Sequence, residues 1–350
     1  MIDLFCGAGI GATGFLKAGF EIVYAVDNNK HAVKTYNKMI GNHAECKSIR
    51  EIDFKTLPDA DVISGGFPCQ SFSFSGNGLG EKDKDKGDLA NYFHKAVKEK
   101  KPKAFLLENV AGLTSKKHIQ FFEKILKEFE KIGYKITYKI LNCIDYGVPQ
   151  KRKRVFVVGV RKDLNKEFIF PPFISENEYK TIRDAIADLP EPSDYKDGSK
   201  YKVKNHYGLG IRNDEKPFID KVPTGGNWRD IPVEDQKKFL GKSFYSGGGR
   251  TGYLRKMSFD KQSLTITSTM DGKFNAQIID NKDKYGYLPE GVPKSRRFTV
   301  RECLRLQTVP DWFYFDDSIP LRKQYERCSG IPTVVAEILG LELKNLLEKN

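Results

Sequence analysis

The six cysteines of this 350-residue chain, at positions 6, 46, 69, 143, 303 and 328, include no CxxC pair. Their scatter argues against a zinc site and against a disulfide framework, and it points to a reducing compartment. Long apolar runs are absent as well: nothing approaches the roughly 20 residues that cross a bilayer. A signal peptide is also lacking, because "MIDLFCGAG" runs straight into a strand and a glycine turn. A cytoplasmic protein with no membrane contact is expected. Acidic residues are the minority charge, 46 Asp and Glu against 59 Lys and Arg, for a net charge of +13. A lysine-rich surface accounts for that balance on its own, and attraction to a polyanion such as nucleic acid accounts for it equally well.

What is present divides in two. At 39% hydrophobic residues, the chain can bury one large core, or a core plus a smaller domain. Up to about residue 170, short apolar runs ("IDLF", "EIVYAVD", "DVISGGF", "KAFLLENV", "YKITYKILN", "RVFVVGV") read as buried strands. Between them, "DLANYFHKAVKE" and "KHIQFFEKILKEFEKIGY" carry apolar residues at helical spacing. Such alternation predicts an α/β fold with a doubly wound, mostly parallel sheet and its site at the carboxyl ends of the strands. Beyond it, "FPPF", "PTGGNWRDIP" and "YSGGGRTGY" are rich in proline, glycine and aromatics, and predict a smaller irregular domain. The expected division is residues 1–175 and 176–317, with a C-terminal helical segment, 318–350, returning to the first domain.

"DLFCGAGIGATG" contains a G-x-G-x-x-G of Gly9, Gly11 and Gly14 between a strand and a helix, and Asp27 ends the next strand. The pattern fits an adenosine-containing cofactor with an acid on its ribose. A tight strand-to-helix turn favours glycine whatever it binds, so NAD and S-adenosylmethionine both stay open on this evidence.

"GGFPCQSFSFSG" is more specific. Most lone cysteines are small buried hydrophobes. Cys69 instead follows a strand's carboxyl end, stands behind the stiff Phe67-Pro68 pair, and precedes a long polar, glycine-bearing stretch of the kind that closes over a bound group. A thiol of pKa near about 8.5 is little ionised at neutral pH, yet it is the soft nucleophile that an electron-poor ring carbon requires. In "LLENV", Glu108 ends the neighbouring strand, where a carboxyl acting on a heterocycle would complement Cys69. "QKRKR" adds Arg152 and Arg154, which a solvated basic turn explains as readily.

These motifs, in this order, resemble the DNA cytosine-5 methyltransferases of bacterial restriction–modification systems along nearly the whole chain. "DLFCGAGIG" is similar to the family's first cofactor motif, "GGFPCQSFS" to its Pro-Cys nucleophile motif, "ENV" to its glutamate motif and "DYGVPQKRKR" to its arginine motif. "RRFTVRECLRLQTVPDWF" is similar to the late motif that supports the recognition domain. The resemblance implies a Rossmann-like methyltransferase fold using S-adenosylmethionine, with residues 1–175 catalytic and 176–317 reading the target in double-stranded DNA. It implies Cys69 as nucleophile, Glu108 on the cytosine edge at N3 and N4, and Arg154 with Arg152 near O2. Phe5, Gly7, Ala8, Gly9, Asp27, Asn28, Ile49, Pro68, Leu89 and Ser329 would hold the cofactor, Phe5 packing on adenine and Asp27 binding the ribose hydroxyls. It further implies a monomer paired with a cognate restriction endonuclease.

Some positions depart from the family pattern: Ser48 stands where an aspartate is usual, Ser329 where asparagine is usual, and Lys86 where arginine is common. For DNA contact, Ser73, Ser75, Arg229, Arg250, Arg255 and Lys273 are candidates, with Thr265-Ile266 in "SLTITST" as the counterpart of a Thr-Leu pair in relatives. The implied chemistry is thiolate addition to cytosine C6, methyl transfer to C5 and loss of the C5 proton, on a base flipped out of the duplex. A tRNA cytosine-5 methyltransferase of the same superfamily and a nucleotide-dependent oxidoreductase are the competing readings.

Overall fold

One sheet holds β1 (Ile2–Leu4), β2 (Tyr24–Asp27), β3 (Ala44–Cys46), β4 (Val62–Gly65), β5 (Ala104–Val110), β6 (Tyr134–Asn142) and, after a two-residue β7 (Gln150–Lys151) that lies outside it, β8 (Lys153–Arg161); all of these but β3 come from the apolar runs named above. The structure, a computed structural model, describes residues 1–68, 88–192, 203–207, 210–245, 252–272 and 276–348. The sheet order is β3-β2-β1-β4-β5-β8-β6. β1 to β5 pair in parallel, while β8 runs antiparallel to both β5 and β6. The doubly wound, mostly parallel sheet is therefore present, with β8 as its one reversed strand. Ile2, Leu4, Val62, Ile63, Phe105 and Leu106 are buried, as expected of strands covered on both faces by helices.

Helices α1 (Ile10–Lys17), α2 (Lys30–Met39), α3 (Leu89–Lys100) and α4 (Ile119–Lys131) alternate with the strands. Asn29 starts α2, its side chain accepting from the backbone N–H groups of His31 and Ala32 at 3.1 Å each, which satisfies donors that have no partner inside the helix. Phe93, Phe105, Phe129 and Tyr134 tie α3, β5, α4 and β6 into one aromatic cluster. Phe105 faces Gly159 across the β5–β8 pair; a Cβ at Gly159 would lie 2.1 Å from the Phe105 ring. Glycine makes room there for a ring whose burial is worth about 2 kcal/mol.

Two compact units divide the chain: residues 1–146, 153–175 and 330–350 form the first, and residues 147–152 and 176–329 the second. Residues 318–329, expected with the returning C-terminal segment, thus fall in the second unit, and the returning helix itself is Thr333–Glu348. Its closeness to α1 is set by Gly14, where a Cβ would stand 2.2 Å from the Thr333 carbonyl oxygen and 2.7 Å from Ala336 Cβ.

The second unit is irregular, with short helices and the strands β9 (Arg255–Met257), β10 (Ser263–Leu264), β11 (Gln277–Asp280) and β12 (Ser295–Arg297). β9, β11 and β12 form a small sheet, and β10 pairs in parallel with β7. Ile219, Val222, Trp228, Phe239, Leu254 and Ile278 form an apolar cluster here, and buried ion pairs stand beside the unit's other apolar residues. Arg296 grips Glu302 through two bonds of 2.8 Å, and Arg297 reaches Glu215 at 2.6 Å. The arginines of "RRFTVRECLRLQ" are thus scaffold, consistent with a motif that supports this unit.

Candidate active site

The carboxyl ends of β1, β2, β4 and β5 meet on one edge of the first unit, and the candidate residues sit there because the parallel strands all finish there. Phe5, directly after β1, adopts a left-handed φ of 58°, and Gly7 follows at 57°. A non-glycine residue in that region costs about 1–3 kcal/mol and clusters at functional sites. A Cβ built on Gly7 meets no described atom within 4 Å, whereas one on Gly9 would lie 2.6 Å from Ile40. The glycines of the motif thus do different things: Gly9 lets α2 approach, Gly14 in α1 admits the C-terminal helix, and Gly7 faces open space at the strand end. Gly11 is an ordinary contact, 3.5 Å from Ile331.

Asp27 fixes this turn. Its Oδ2 accepts from the Gly7 N–H at 3.0 Å and its Oδ1 from the Asn29 N–H at 2.8 Å. Asn28 beside it is exposed and Ala8 is buried. Beneath the turn, Asp3 is buried on β1 and accepts from Ser64 Oγ at 2.8 Å. Burial pushes its carboxyl up to about 7, opposed by the Ser64 hydrogen bond and reinforced by the nearby Asp27 charge.

Ile49 is buried in a 3₁₀ turn (Ile49–Glu51) whose first N–H groups are capped by Ser48, the residue that departs from the family pattern; its Oγ accepts from Arg50 N at 3.4 Å. Leu89 is buried at the start of α3. The residues beside them, Arg50 and Asp88, join through a 2.6 Å ion pair, so Ile49 and Leu89 are brought to the same region of the edge.

Glu108, on β5, has Arg154 of β8 as its ion partner, Nε to Oε1 at 2.9 Å, both side chains only about one-seventh exposed (15% and 14%). That N–H is not aimed at the oxygen: among the described residues, Oε1 is buried and takes no hydrogen bond. The ion pair is therefore a charge contact that leaves the carboxyl's directional bonding to another partner. Gly66 explains how the neighbouring chain passes so close, since a Cβ there would stand 3.1 Å from Glu108 Oε2. Two residues on is the exposed Pro68. Cys69, Ser73 and Ser75 lie outside the described residues, as do Arg250 and Lys273. Asn109, which sequence reading passed over inside "ENV", is 3% exposed and donates to the Phe67 carbonyl at 3.4 Å. Its signal was a polar side chain at a position where a buried strand leaves no room for solvent.

Arg152 belongs to the second unit and is 2% exposed. Its guanidinium donates to the Ile266 carbonyl at 3.2 Å and to Ser329 Oγ at 3.3 Å. Arg152, Ser329 and Thr265-Ile266 therefore come together within that unit. Thr265 Oγ1 donates to the Lys151 carbonyl at 2.8 Å. Arg229 is exposed, next to the Trp228 ring at 5.4 Å. Arg255, on β9, is half-buried, and burial holds its guanidinium below the usual range.

The sheet with its reversed β8, the glycine turn and the edge carrying Glu108 are consistent with an α/β methyltransferase fold. The chain matches the family model "C-5 cytosine-specific DNA methylase" over residues 1–345. It is 36% identical over 346 residues to the Type II methyltransferase M.MthTI of Methanothermobacter thermautotrophicus, covering 99% of this chain and 97% of that one. Identity to the Type II methyltransferase M.Eco47II of Escherichia coli is 34% over 363 residues, covering 100% of this chain and 79% of the relative. In fold it is similar to the S. pombe Dnmt2 methyltransferase (TM-score 0.63, 18% identity, 99% of this chain and 98% of that one). It is likewise similar to the Entamoeba histolytica methyltransferase EhMeth (TM-score 0.66, 17% identity, 99% and 98%). The chain belongs to the C-5 cytosine-specific DNA methylases and is a DNA cytosine-5 methyltransferase. The oxidoreductase and tRNA readings give way to this assignment. Among the described residues, no helix is long and apolar enough to cross a membrane.

Proposed function

We propose that this enzyme modifies one short sequence in double-stranded DNA, as a monomer in the cytoplasm, and serves as the modification half of a restriction–modification system. The closest support for the last point is that the relatives named above are Type II methyltransferases. The first unit carries the chemistry and the second reads the target. The observation that carries the mechanism is Glu108: it is largely buried beside Arg154, with an oxygen that takes no described hydrogen bond, and it borders the Gly66 turn that leads to Pro68 and Cys69.

In this reading the Cys69 thiolate adds to C6 of a flipped cytosine, because attack at that carbon makes C5 electron-rich. Glu108, once it has taken up a proton, donates it toward N3 as negative charge develops there. Arg154 keeps its positive charge beside the carboxyl and faces the ring's O2 side. Asn109 holds the Phe67 carbonyl and so the approach of the Pro68-Cys69 peptide. After methylation the C5 proton passes to water, the C5–C6 double bond re-forms, the thiolate departs and the N3 proton returns to Glu108.

S-adenosylmethionine, when bound, supplies an electrophilic methyl group. The residues present fit it: Gly7 faces open space, Asp27 holds the turn with its acceptors at the strand end, and the partly buried Phe5 offers apolar surface against the cluster that includes Ile49 and Leu89. Asn28, Ala8, Gly9 and Pro68 complete the proposed set. Bisulfite sequencing of DNA from cells expressing the protein should show one sequence protected from conversion at cytosine, and none with Cys69→Ser. Methylation confined to the tRNA fraction would contradict the reading.

A further inference from the structure

The Thr265-Ile266 segment is held in a way that no DNA contact requires. β10 pairs with β7 over only two residues, so a ladder alone would fix it poorly. Buried side chains take over where the ladder ends. Gln277 on β11, with no exposed surface, mimics a neighbouring strand: its Oε1 accepts from Leu264 N at 2.9 Å and its Nε2 donates to Leu264 O at 2.9 Å and Thr265 O at 3.4 Å. Gln150 on β7, equally buried, accepts from Ile266 N at 2.9 Å and donates to the Leu306 carbonyl at 3.0 Å. Arg152, two residues on and on the same face of the extended chain, takes the Ile266 carbonyl. Ile266 itself is fully buried. Ile266 is thus gripped at both its N–H and its C=O by side chains two residues apart.

The rigid segment ends in hydroxyls. Thr267 is half-buried, Ser268 and Thr269 are exposed, and the hydroxyls of Thr267 and Thr269 lie 3.2 Å apart. Such hydroxyls suit phosphate or base-edge contacts, whose value for discrimination depends on a backbone that does not yield. The hydroxyl of Thr265 is already donated to Lys151, so positioning, and not reach, is what this residue contributes.

We propose that Gln150, Arg152 and Gln277 are positioning residues for sequence discrimination: by presetting the Leu264–Ile266 backbone they fix where Thr267–Thr269 meet DNA, without touching it themselves. The proposal rests on the reading of the second unit as the recognition unit, and it moves Arg152 from the cytosine ring to the recognition segment. Each grip joins buried groups, so its loss leaves a polar atom orphaned and shifts an equilibrium by about tenfold or more.

The test is a methylation map of plasmid DNA, from which the target is first read with the unaltered enzyme. The quantity followed is the ratio of rates at that target and at sites with one mismatch. Gln150→Met, Gln277→Met and Arg152→Met should lower this ratio about tenfold and raise KM for DNA, with S-adenosylmethionine affinity within about twofold. Arg152→Lys, which can satisfy one of the two acceptors described above, should fall between. Should a methionine variant not fold, Arg152→Lys and its ratio decide. Equal loss of rate at every site, with the ratio and KM unchanged, would overturn the proposal and return Arg152 to the ring. The variant T267A/S268A/T269A separates the underlying reading: if it leaves KM for DNA and the ratio untouched, the segment does not face DNA, and both the reading and the proposal fall.

Discussion

Arg154 Nε stands 2.9 Å from Glu108 Oε1 across the antiparallel β5–β8 pair, and both side chains are largely shielded from solvent. The pair exists because β8 is reversed: a strand parallel to β5 would deliver its first residues to the opposite edge of the sheet. Removing the ionisable group while keeping its shape tests what it does. Glu108→Gln should slow single-turnover methyl transfer by about 10²-fold or more, the contribution expected of general acid catalysis, with DNA binding retained. A rate within about threefold of the unaltered enzyme would remove Glu108 from the proton transfer.

Two glycines of one motif should respond in opposite ways. Gly14→Ala forces a methyl against the Thr333 carbonyl and Ala336, so thermal stability should fall by the equivalent of about 1–3 kcal/mol as the C-terminal helix is pushed away. Gly7→Ala meets open space but a φ of 57°, costing about 1 kcal/mol, and should chiefly weaken S-adenosylmethionine binding. Calorimetric melting and cofactor titration of both variants check this. Equal melting losses with unchanged cofactor affinity would show that Gly7 does not line the cofactor site.

How far the sequence carried the reading follows from where its signals are local. Strands β1, β2, β4, β5, β6 and β8 and helices α3 and α4 were legible because their apolar runs and periods are continuous; β3, three residues with Glu45 and Cys46 exposed, carries no such run. The glycine turn, Asp27 and Glu108 were placed by strand ends. Gly14 was read as part of a cofactor pattern, while its tightest constraint is a helix more than 300 residues away, which no local pattern encodes. The same holds for Gln277, whose amide substitutes for a strand, and for Asn109, hidden inside a motif read for its glutamate. Arg152 and Arg154 look equivalent at alternate positions of "QKRKR", yet one pairs with Glu108 and the other with Ile266 and Ser329. Only tertiary structure separates them.

Asp3 should make stability depend on pH in a defined window. Its carboxyl is pushed from an ordinary 3.8 to about 7, chiefly by burial. The folded chain therefore keeps a proton that the unfolded chain releases between those values. Stability from this group is full below about pH 4 and is lost as pH rises to about 7. Asp3→Asn mimics the protonated side chain and escapes that loss. Its stability relative to the unaltered protein should grow by on the order of 4 kcal/mol across the window, as read by denaturant unfolding at several pH values. Parallel curves for the two proteins would show that Asp3 titrates normally.

Covalent addition by Cys69 is tested most directly by trapping. A duplex carrying 5-fluorocytosine at the target position, supplied with S-adenosylmethionine, still allows the thiolate to reach C6 and the methyl to reach C5. The last step needs a proton to leave C5, and fluorine cannot leave as F⁺. The enzyme should migrate with the DNA on a denaturing gel, and mass spectrometry should locate the link at Cys69. Omission of the cofactor, or Cys69→Ser, should abolish the stable complex. Absence of any denaturation-resistant complex, with protein that methylates the ordinary duplex under the same conditions, would contradict covalent catalysis by Cys69.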